Sequence, residues 1–316
     1  MLLPALSFLG RHGTRVLAAG ILTGLALPDL AHALKPLLTA LVMATMTGAL
    51  LRVEWPDIAR QIRAWPRVAA ATLWLIVAAP VLVALVCRLL PLPDGLVAAM
   101  VLSAAGPCVM AAPAIALLLG LDAALSLVVM VTAHLLVPAT MPPLAAALVG
   151  VTLDIGIGEL AARLALIVLG AAAAAEAIRR IVGRARIRRA GEAINGVNMV
   201  MLVLFAIAIM DGVTAAAIAE PARVALYFAA AIVFNAALQA AGWLVFRRAG
   251  APAALAVGLM TGNRNMGLVW AALGPETPFA IALYFAVAQL PMYLFPALQS
   301  WLFRRMPAFR SATGRR

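Results

Sequence analysis

Charged residues are scarce in this chain. Only 11% of its 316 residues are Asp, Glu, Lys or Arg, whereas 66% are hydrophobic, and the mean hydropathy is +1.07. Soluble globular domains carry roughly 25% charged residues, so a soluble fold is excluded because it could not cover this much apolar surface. A helix needs about 20 apolar residues to cross a bilayer core about 30 Å thick. The composition therefore indicates a protein that crosses a membrane several times.

Residue patterns that would carry soluble-protein chemistry are also missing. The only cysteines, Cys87 and Cys108, lie in apolar runs and do not support a disulfide framework or a metal cluster. The chain has no Gly-rich nucleotide loop with a lysine and no intramembrane cluster of His, Glu or Asp. We therefore expect neither an enzyme nor a pump, and no cofactor or metal. Despite a net charge of +12, no basic stripe is interleaved with aromatics, so no nucleic acid is expected.

Apolar runs separated by short polar breaks predict about ten transmembrane helices. Prolines and glycines at the breaks, as in Lys35-Pro36 and Gly274-Pro275, are residue types that end helices. The approximate bounds of the predicted spans are 14–33, 36–52, 67–90, 95–119, 122–149, 157–181, 195–213, 221–246, 251–275 and 278–303.

Basic residues are distributed unevenly between the two sides of these spans. With a cytoplasmic N-terminus, 19 of the 24 Lys and Arg residues fall in or beside cytoplasmic segments, four fall on the outer side, and only Arg264 lies deep within a span. Cytoplasmic loops of membrane proteins carry the excess of positive charge. The pattern predicts a multi-pass protein of the inner (plasma) membrane with both termini in the cytoplasm.

The predicted spans divide into two halves of equal helix number, 1–150 and 151–316, which enter the membrane from opposite sides. This arrangement is typical of an inverted repeat. The fourth helix of each half contains a break, near 104–114 in the first and near 258–267 in the second. Proline removes a backbone donor and glycine leaves helical geometry readily. Paired breaks at equivalent positions indicate a transport site, although kinked, Gly-rich helices are also ordinary packing devices in membranes.

Several stretches resemble one family, the bile acid:sodium symporters. The stretches are Met43–Leu50, Trp55–Ile58, Arg63–Arg67, Pro80, Leu90–Asp94, Gly106-Pro107, Asp122–Ser126, Pro138 and Asn263–Leu268. The resemblance implies an all-α fold of ten transmembrane helices in a 5+5 inverted repeat, with a panel domain, a core domain and crossed discontinuous helices four and nine. It also implies secondary transport of a small organic anion by alternating access.

The sodium-binding positions of that family are substituted in this chain. A Ser-Asn pair in the first broken helix corresponds to Ala112 and Pro113, a carboxylate before the glycine of the ninth helix to Met260, and a nearby glutamine to Arg264. Sodium needs oxygen ligands, which these side chains lack. We therefore expect transport that is not classically sodium-coupled, and sodium itself stays open. The alternatives are a proton-coupled or uncoupled uniporter, or a membrane protein that binds a ligand without transporting it.

Arg264 is the first candidate for substrate binding. A charge at membrane depth costs about 2.5–3.5 kcal/mol and usually faces a cavity or a partner, and guanidinium recognises carboxylates bidentately. Asn263, Asn265 and Thr261 extend the candidate binding site. The alternative is that Arg264 satisfies carbonyls of the broken helices, or takes the place of the positive charge of a missing sodium ion.

His134 is the fifth candidate for substrate binding. Its unperturbed pKa of about 6.5 would let it exchange a proton; the alternative is a neutral histidine hydrogen-bonded within the bundle. Six further residues are assigned to the helix crossing or an ion site: Gly106, Pro107, Pro113, Gly262, Thr132 and Met260. Expected partners are a small organic anion and membrane lipid. The basic segment 184–189 could contact anionic head groups, or it could serve only to fix the orientation in the membrane. Glu176 is expected to pair with Arg179 and Arg180 at helical spacing, and the oligomeric state stays open.

Overall fold

The computed structural model describes residues 13–53, 65–149, 155–275 and 277–305. In these ranges the regular secondary structure is helical, apart from one isolated backbone bridge. The predicted all-α fold is confirmed for this part of the chain. The two ends of the chain lie outside the described residues. So do residues 54–64, which include Trp55–Ile58 and Arg63, and the predicted boundary between the halves at residue 150.

The N-terminal part contains eight of the α-helices that the structure describes. A 3-10 turn, Lys35–Leu37, joins α2 to α3, and a π-helix, Trp74–Ala78, joins α4 to α5. The helices are α1 (Gly13–Ala26), α2 (Pro28–Leu34), α3 (Leu38–Leu51), α4 (Trp65–Leu73), α5 (Ala79–Cys87), α6 (Asp94–Ala105), α7 (Ala112–Leu118) and α8 (Ala123–Leu148).

The C-terminal part contains nine more of the described α-helices. Gly183, with φ of 86°, separates α9 from the short basic helix α10. The helices are α9 (Ile157–Val182), α10 (Arg184–Arg189), α11 (Gly191–Ala208), α12 (Val213–Ala219), α13 (Pro221–Phe246), α14 (Ala251–Gly262), α15 (Met266–Leu273), α16 (Phe279–Val287) and α17 (Gln289–Arg305).

Seven helical stretches of the described chain are long and apolar enough to cross a membrane, as a multi-pass membrane protein requires. They are Pro28–Leu51, Trp65–Cys87, Ala123–Leu148, Ile157–Val182, Gly191–Ala219, Pro221–Ala249 and Phe279–Gln299. The remaining three predicted spans contain shorter apolar helices. The first, 14–33, holds α1, but the structure places its end at Leu27 and not at Lys35-Pro36, which lies inside the stretch Pro28–Leu51. The other two spans are interrupted and hold the pairs α6 with α7 and α14 with α15.

The helices pack in two groups. In the first, α11 packs against α1, α2 and α3, and α9 packs against α3. In the second, α13 and α14 form a hairpin, while α8 contacts α4, α6, α7 and α14. The groups meet along a seam where α9 of the first packs against α8 of the second and against α15, which we assign to the second group because it continues the interrupted helix of α14. Any site that draws on both groups must lie in this seam.

Candidate functional site

The two interrupted helices meet through their non-helical connections, residues 106–111 and 263–265, which we call the crossover. Val109 N donates to Asn263 O over 2.9 Å, and Asn265 N donates to Pro107 O over 2.8 Å. Cys108 and Arg264 thereby face each other as an isolated antiparallel bridge. Each connection thereby pairs with backbone groups that the interruption of the other helix leaves without a helical partner. Buried backbone groups need such partners.

Proline and glycine explain why α6 and α7 separate here. Gly106 ends α6 with extended backbone (φ −66°, ψ 160°), the conformation that the following Pro107 favours in the residue before it. Pro113 lies in the first turn of α7, where its missing N–H has no helical partner to lose. On the other strand of the crossover, α14 ends at Gly262 and Asn263 is extended. The structure thus places the candidate residues Gly106, Pro107, Pro113 and Gly262 at the interruptions.

The Arg264 side chain lies inside the crossover and is only 1% exposed. Its Nε donates to Thr261 O over 2.7 Å. Its Nη1 donates to Leu75 O over 3.0 Å and to Gly106 O over 3.1 Å. Arg264 therefore ties α14, α6 and the π-helix together through three backbone carbonyls.

Each of these carbonyls has lost its usual helical donor. In the π-helix Ala79 N donates to Trp74 O, so the next carbonyl, Leu75 O, would need the N–H of residue 80, which is a proline. Thr261 O would pair with the N–H of Asn265 in a continuous helix, but that group donates to Pro107 O. Gly106 O lies beyond the end of α6. The guanidinium replaces three backbone donors that the breaks remove.

The remaining nitrogen, Arg264 Nη2, is buried and has no hydrogen-bond acceptor among the described residues. The ion pairs of the described chain do not include Arg264 either. Bidentate recognition of a carboxylate needs two neighbouring free donors, and Nε and Nη1 are already engaged. The arrangement therefore matches the alternative in which Arg264 satisfies carbonyls, and leaves only Nη2 for a ligand.

Asn263 points away from any open space. It is fully buried, its Nδ2 donates to Leu259 O over 3.0 Å, and its Oδ1 accepts from Asn235 Nδ2 over 3.2 Å. Asn235 Nδ2 also donates to Gly262 O, and Gln239 Nε2 donates to Asn235 Oδ1 over 2.6 Å. This network joins the end of α14 to α13, so the structure gives Asn263 a packing role in the arrangement it shows.

Asn265 connects the crossover to His134. Its Oδ1 accepts from Leu268 N over 3.1 Å and caps α15, so its Nδ2 is the atom that faces His134 Nε2 at 3.2 Å. His134 Nδ1 lies 2.8 Å from Met130 O, which can only accept. Nδ1 therefore carries the hydrogen and Nε2 accepts from Asn265. These contacts describe a neutral histidine with one defined tautomer, linked directly to the cap of a broken helix.

The other candidates have local partners. Thr261 Oγ1 donates to Val257 O over 2.7 Å and accepts from Trp74 Nε1 over 3.0 Å. Thr132 Oγ1 donates to Val128 O one turn earlier on α8. Met260 is fully buried in an apolar cluster. The structure therefore brings Thr261 to the π-helix, and gives Thr132 and Met260 no visible part in an ion site.

A small pocket, with a cavity volume of about 50 Å³, lies in the seam beside the crossover. Its lining combines α3 and α9 of the first helix group with α8 and the connection 106–111 of the second. The lining residues are Met46, Leu50, Met110, Met130, Val131, His134, Leu135, Val168, Ala172, Ala175 and Arg179. Of the residues that the sequence assigned to substrate binding, this lining includes His134.

Arg179 is the charged lining residue that sequence reasoning missed as part of a site, having assigned it only to orientation and to an ion pair with Glu176. It is 7% exposed, and it pairs with Glu176 Oε2 at 2.7 Å and donates to Leu50 O at 2.9 Å. Arg180 pairs with the other Glu176 oxygen at 3.0 Å, so the predicted ion pairs of Glu176 are confirmed. The sequence signal for Arg179 was a cation near the end of an apolar helix. Only the packing of α9 on α3 shows that Arg179 borders a pocket.

A second, more polar recess lies at the opposite end of the seam. Its lining includes Lys35 and Asp211 from the first helix group, paired at 2.9 Å, and Trp270 of α15 from the second. Between the two recesses α15 closes the seam: a Cβ added to Gly267 would lie 2.9 Å from Phe205 Cζ. The seam thus has a recess at each end and tight packing between them.

No model of a known protein family matches the chain, and no curated protein matches it. The resemblance to the bile acid:sodium symporters thus rests on the residues quoted for it and stays a prediction.

Proposed function

We propose that this protein is a secondary transporter of a small organic anion and works by alternating access. The observation that carries the proposal is the crossover of two interrupted helices beside a pocket between two helix groups. In a membrane, non-helical backbone is tolerated where it is buried in protein or lines a cavity. Paired discontinuous helices at the interface of two repeats are the usual site of substrate binding in secondary transporters.

The proposed architecture has ten transmembrane helices in a 5+5 inverted repeat. The seven long apolar helices, together with α1 and the two interrupted pairs, support this number. The group of α1, α2, α3, α9 and α11 would be the panel, and the group built around α8, α13 and α14 would be the core. Both termini would lie in the cytoplasm of a cell whose inner membrane holds the protein.

The composition of the pocket favours an anion with an apolar body. Its walls are mainly aliphatic, with three methionines that adapt easily to ligands of different shape, and its lining includes Arg179 and His134 but no Asp or Glu. Glu176 pairs with both Arg179 and Arg180, so this cluster beside the pocket keeps one net positive charge, which together with apolar walls suits an amphipathic carboxylate or a similar anion better than a cation. Arg264 stays a substrate-binding hypothesis that the geometry restricts to a single contact through Nη2.

The absence of side-chain oxygen ligands at Ala112, Pro113 and Met260 supports transport without classical sodium coupling. Proton coupling is the specific alternative, because His134 lies in the pocket wall and contacts the cap of α15. A proton at Nε2 would place two hydrogen-bond donors against each other and force Asn265 to turn. A non-transporting ligand-binding protein is the remaining alternative, and uptake measurements separate it from both.

The test is uptake of a mixed panel of organic anions into proteoliposomes, with sodium and pH gradients imposed separately. Saturable uptake that does not respond to sodium supports the proposal. Uptake that follows only the pH gradient identifies the proton-coupled form. Binding without uptake under every gradient would contradict transport, and sodium-driven uptake would contradict the proposed coupling.

A further inference from the structure

We infer that the Arg264 guanidinium is a resident cation: it fills a cation-binding site built from backbone carbonyls at the crossover, and this site binds a free guanidinium-type cation once the side chain is removed. Cation binding at the crossover does not depend on transport. Three observations support it, namely the origin of the carbonyls, the charge of the helix ends around them, and the absence of Arg264 from the pocket lining.

The three carbonyl oxygens come from separate segments and converge on one group. Leu75 O belongs to the π-helix, Gly106 O to the end of α6, and Thr261 O to the last turn of α14, all within 3.1 Å of an Arg264 nitrogen. None of the three has a helical N–H partner, for the reasons given above. Oxygens that converge without donors of their own form a site for a cation, because a neutral apolar group would leave all three unsatisfied.

The helix ends at the crossover supply the matching charge. α6 and α14 both end at this point, and each C-terminus carries roughly half a negative charge. The positive N-termini of α7 and α15 also begin at the crossover and offset part of this charge, but Arg264 binds the negative ends directly through Gly106 O and Thr261 O. This explains how a charge that is 99% buried persists although the ion pairs of the described residues give it no carboxylate partner.

Arg264 does not contribute to the lining of the adjoining pocket, which takes Met110, Met130 and His134 from the same region. Its burial and its three protein contacts therefore suit a positioning residue that holds the interrupted helices together. If the charge were incidental, an apolar side chain of similar length would serve as well or better, since hydrophobic replacements of buried charges are often neutral or stabilising. Variants that keep or remove the charge at position 264 therefore distinguish the two cases.

The first experiment is chemical rescue of Arg264→Ala by methylguanidinium. The cation is present from solubilisation onward, so that it need not enter a closed crossover, and the readout is the melting temperature in detergent. We expect the melting temperature to rise with the logarithm of methylguanidinium concentration, as for any ligand that binds the folded state. Urea, which has a similar planar shape but no charge, should produce no rise.

The matched control is Leu75→Ala. It removes a fully buried side chain at the same place but leaves the Leu75 carbonyl and Arg264 intact. This variant should be destabilised by its cavity and should not be rescued. No rise for Arg264→Ala, or an equal rise for both variants, overturns the inference.

A second pair of variants keeps the test decisive if Arg264→Ala does not fold. Arg264→Lys and Arg264→Met have similar length, but only lysine keeps the charge. We expect the lysine variant to melt at the higher temperature, and a methionine variant that equals or exceeds it overturns the inference. Neither measurement needs a substrate, so a protein that shows rescue but no uptake refutes the proposed transport function while leaving this inference standing.

Discussion

The packing of α14 on α13 predicts that Gly262→Ala weakens the crossover. Gly262 is the last residue of α14 and lies one turn after Gly258, in a Gly-x-x-x-Gly spacing that lets helices approach closely. A Cβ at Gly262 would contact Gln239 Cγ and would lie 2.7 Å from Asn235 O and 3.1 Å from Asn235 Oδ1. The backbone oxygen cannot rotate away, so the two helices must separate.

The magnitude follows from three contributions. Overpacking of this kind costs about 1–3 kcal/mol. The shift also weakens the hydrogen bond from Asn235 Nδ2 to Gly262 O, worth about 1 kcal/mol. Replacing a helical glycine by alanine returns up to about 1 kcal/mol. The net loss is about 2 kcal/mol, which corresponds to a fall of about 3 °C in melting temperature for a chain of this size.

The assay is thermal unfolding of the purified protein in detergent, followed by tryptophan fluorescence. Gly158→Ala is the matched control, because Gly158 is also helical but an added Cβ there meets nothing within 4 Å. The control should melt at or slightly above the native temperature. Equal melting temperatures for native protein and Gly262→Ala would refute the close approach of α13 and α14.

Three further predictions concern the crossover and the seam. Asn265→Ala should cost about 1 kcal/mol through loss of the α15 cap, whereas Asn265→Ser should retain most of the stability; melting temperatures of the two variants check this. Cys108 should resist a maleimide in the folded protein and react after denaturation, because it is fully buried, while a cysteine introduced at the exposed position Leu89 should react at once, as mass spectrometry can show. Arg163→Ala should speed hydrogen exchange at the end of α15, since Arg163 Nη1 donates to Leu273 O over 3.1 Å; unchanged exchange there would contradict the contact.

The interruptions could be predicted from the sequence because glycine and proline act locally. Gly106-Pro107 and Gly262 lie where α6 and α14 end. The partners of Arg264 could not be predicted. Leu75, one of these partners, lies 189 residues from Arg264 in the chain. Its carbonyl is free because the π-helix shifts the hydrogen-bond register and Pro80 has no N–H to donate, and the sequence does not show that shift.

The pocket was beyond sequence reasoning for a different reason. Apolar residues surround most of these helices, so hydrophobic periodicity does not show which face points to the protein and which to lipid. Arg179 and Ala172 lie on the pocket side of α9, whereas Leu166 and Leu169 of the same helix are exposed. Only the packing of α9 against α3, α8 and α15 determines that orientation.

Uptake of organic anions by pocket variants tests the central claim most directly. Ala172→Trp places a large side chain in the pocket wall, and Leu169→Trp places the same side chain on the exposed face of α9. In proteoliposomes holding equal amounts of folded protein, the account predicts saturable uptake by the native protein and Leu169→Trp, and little or none by Ala172→Trp. Uptake by Ala172→Trp at the native rate, or no uptake by the native protein of any anion in the panel, would contradict it.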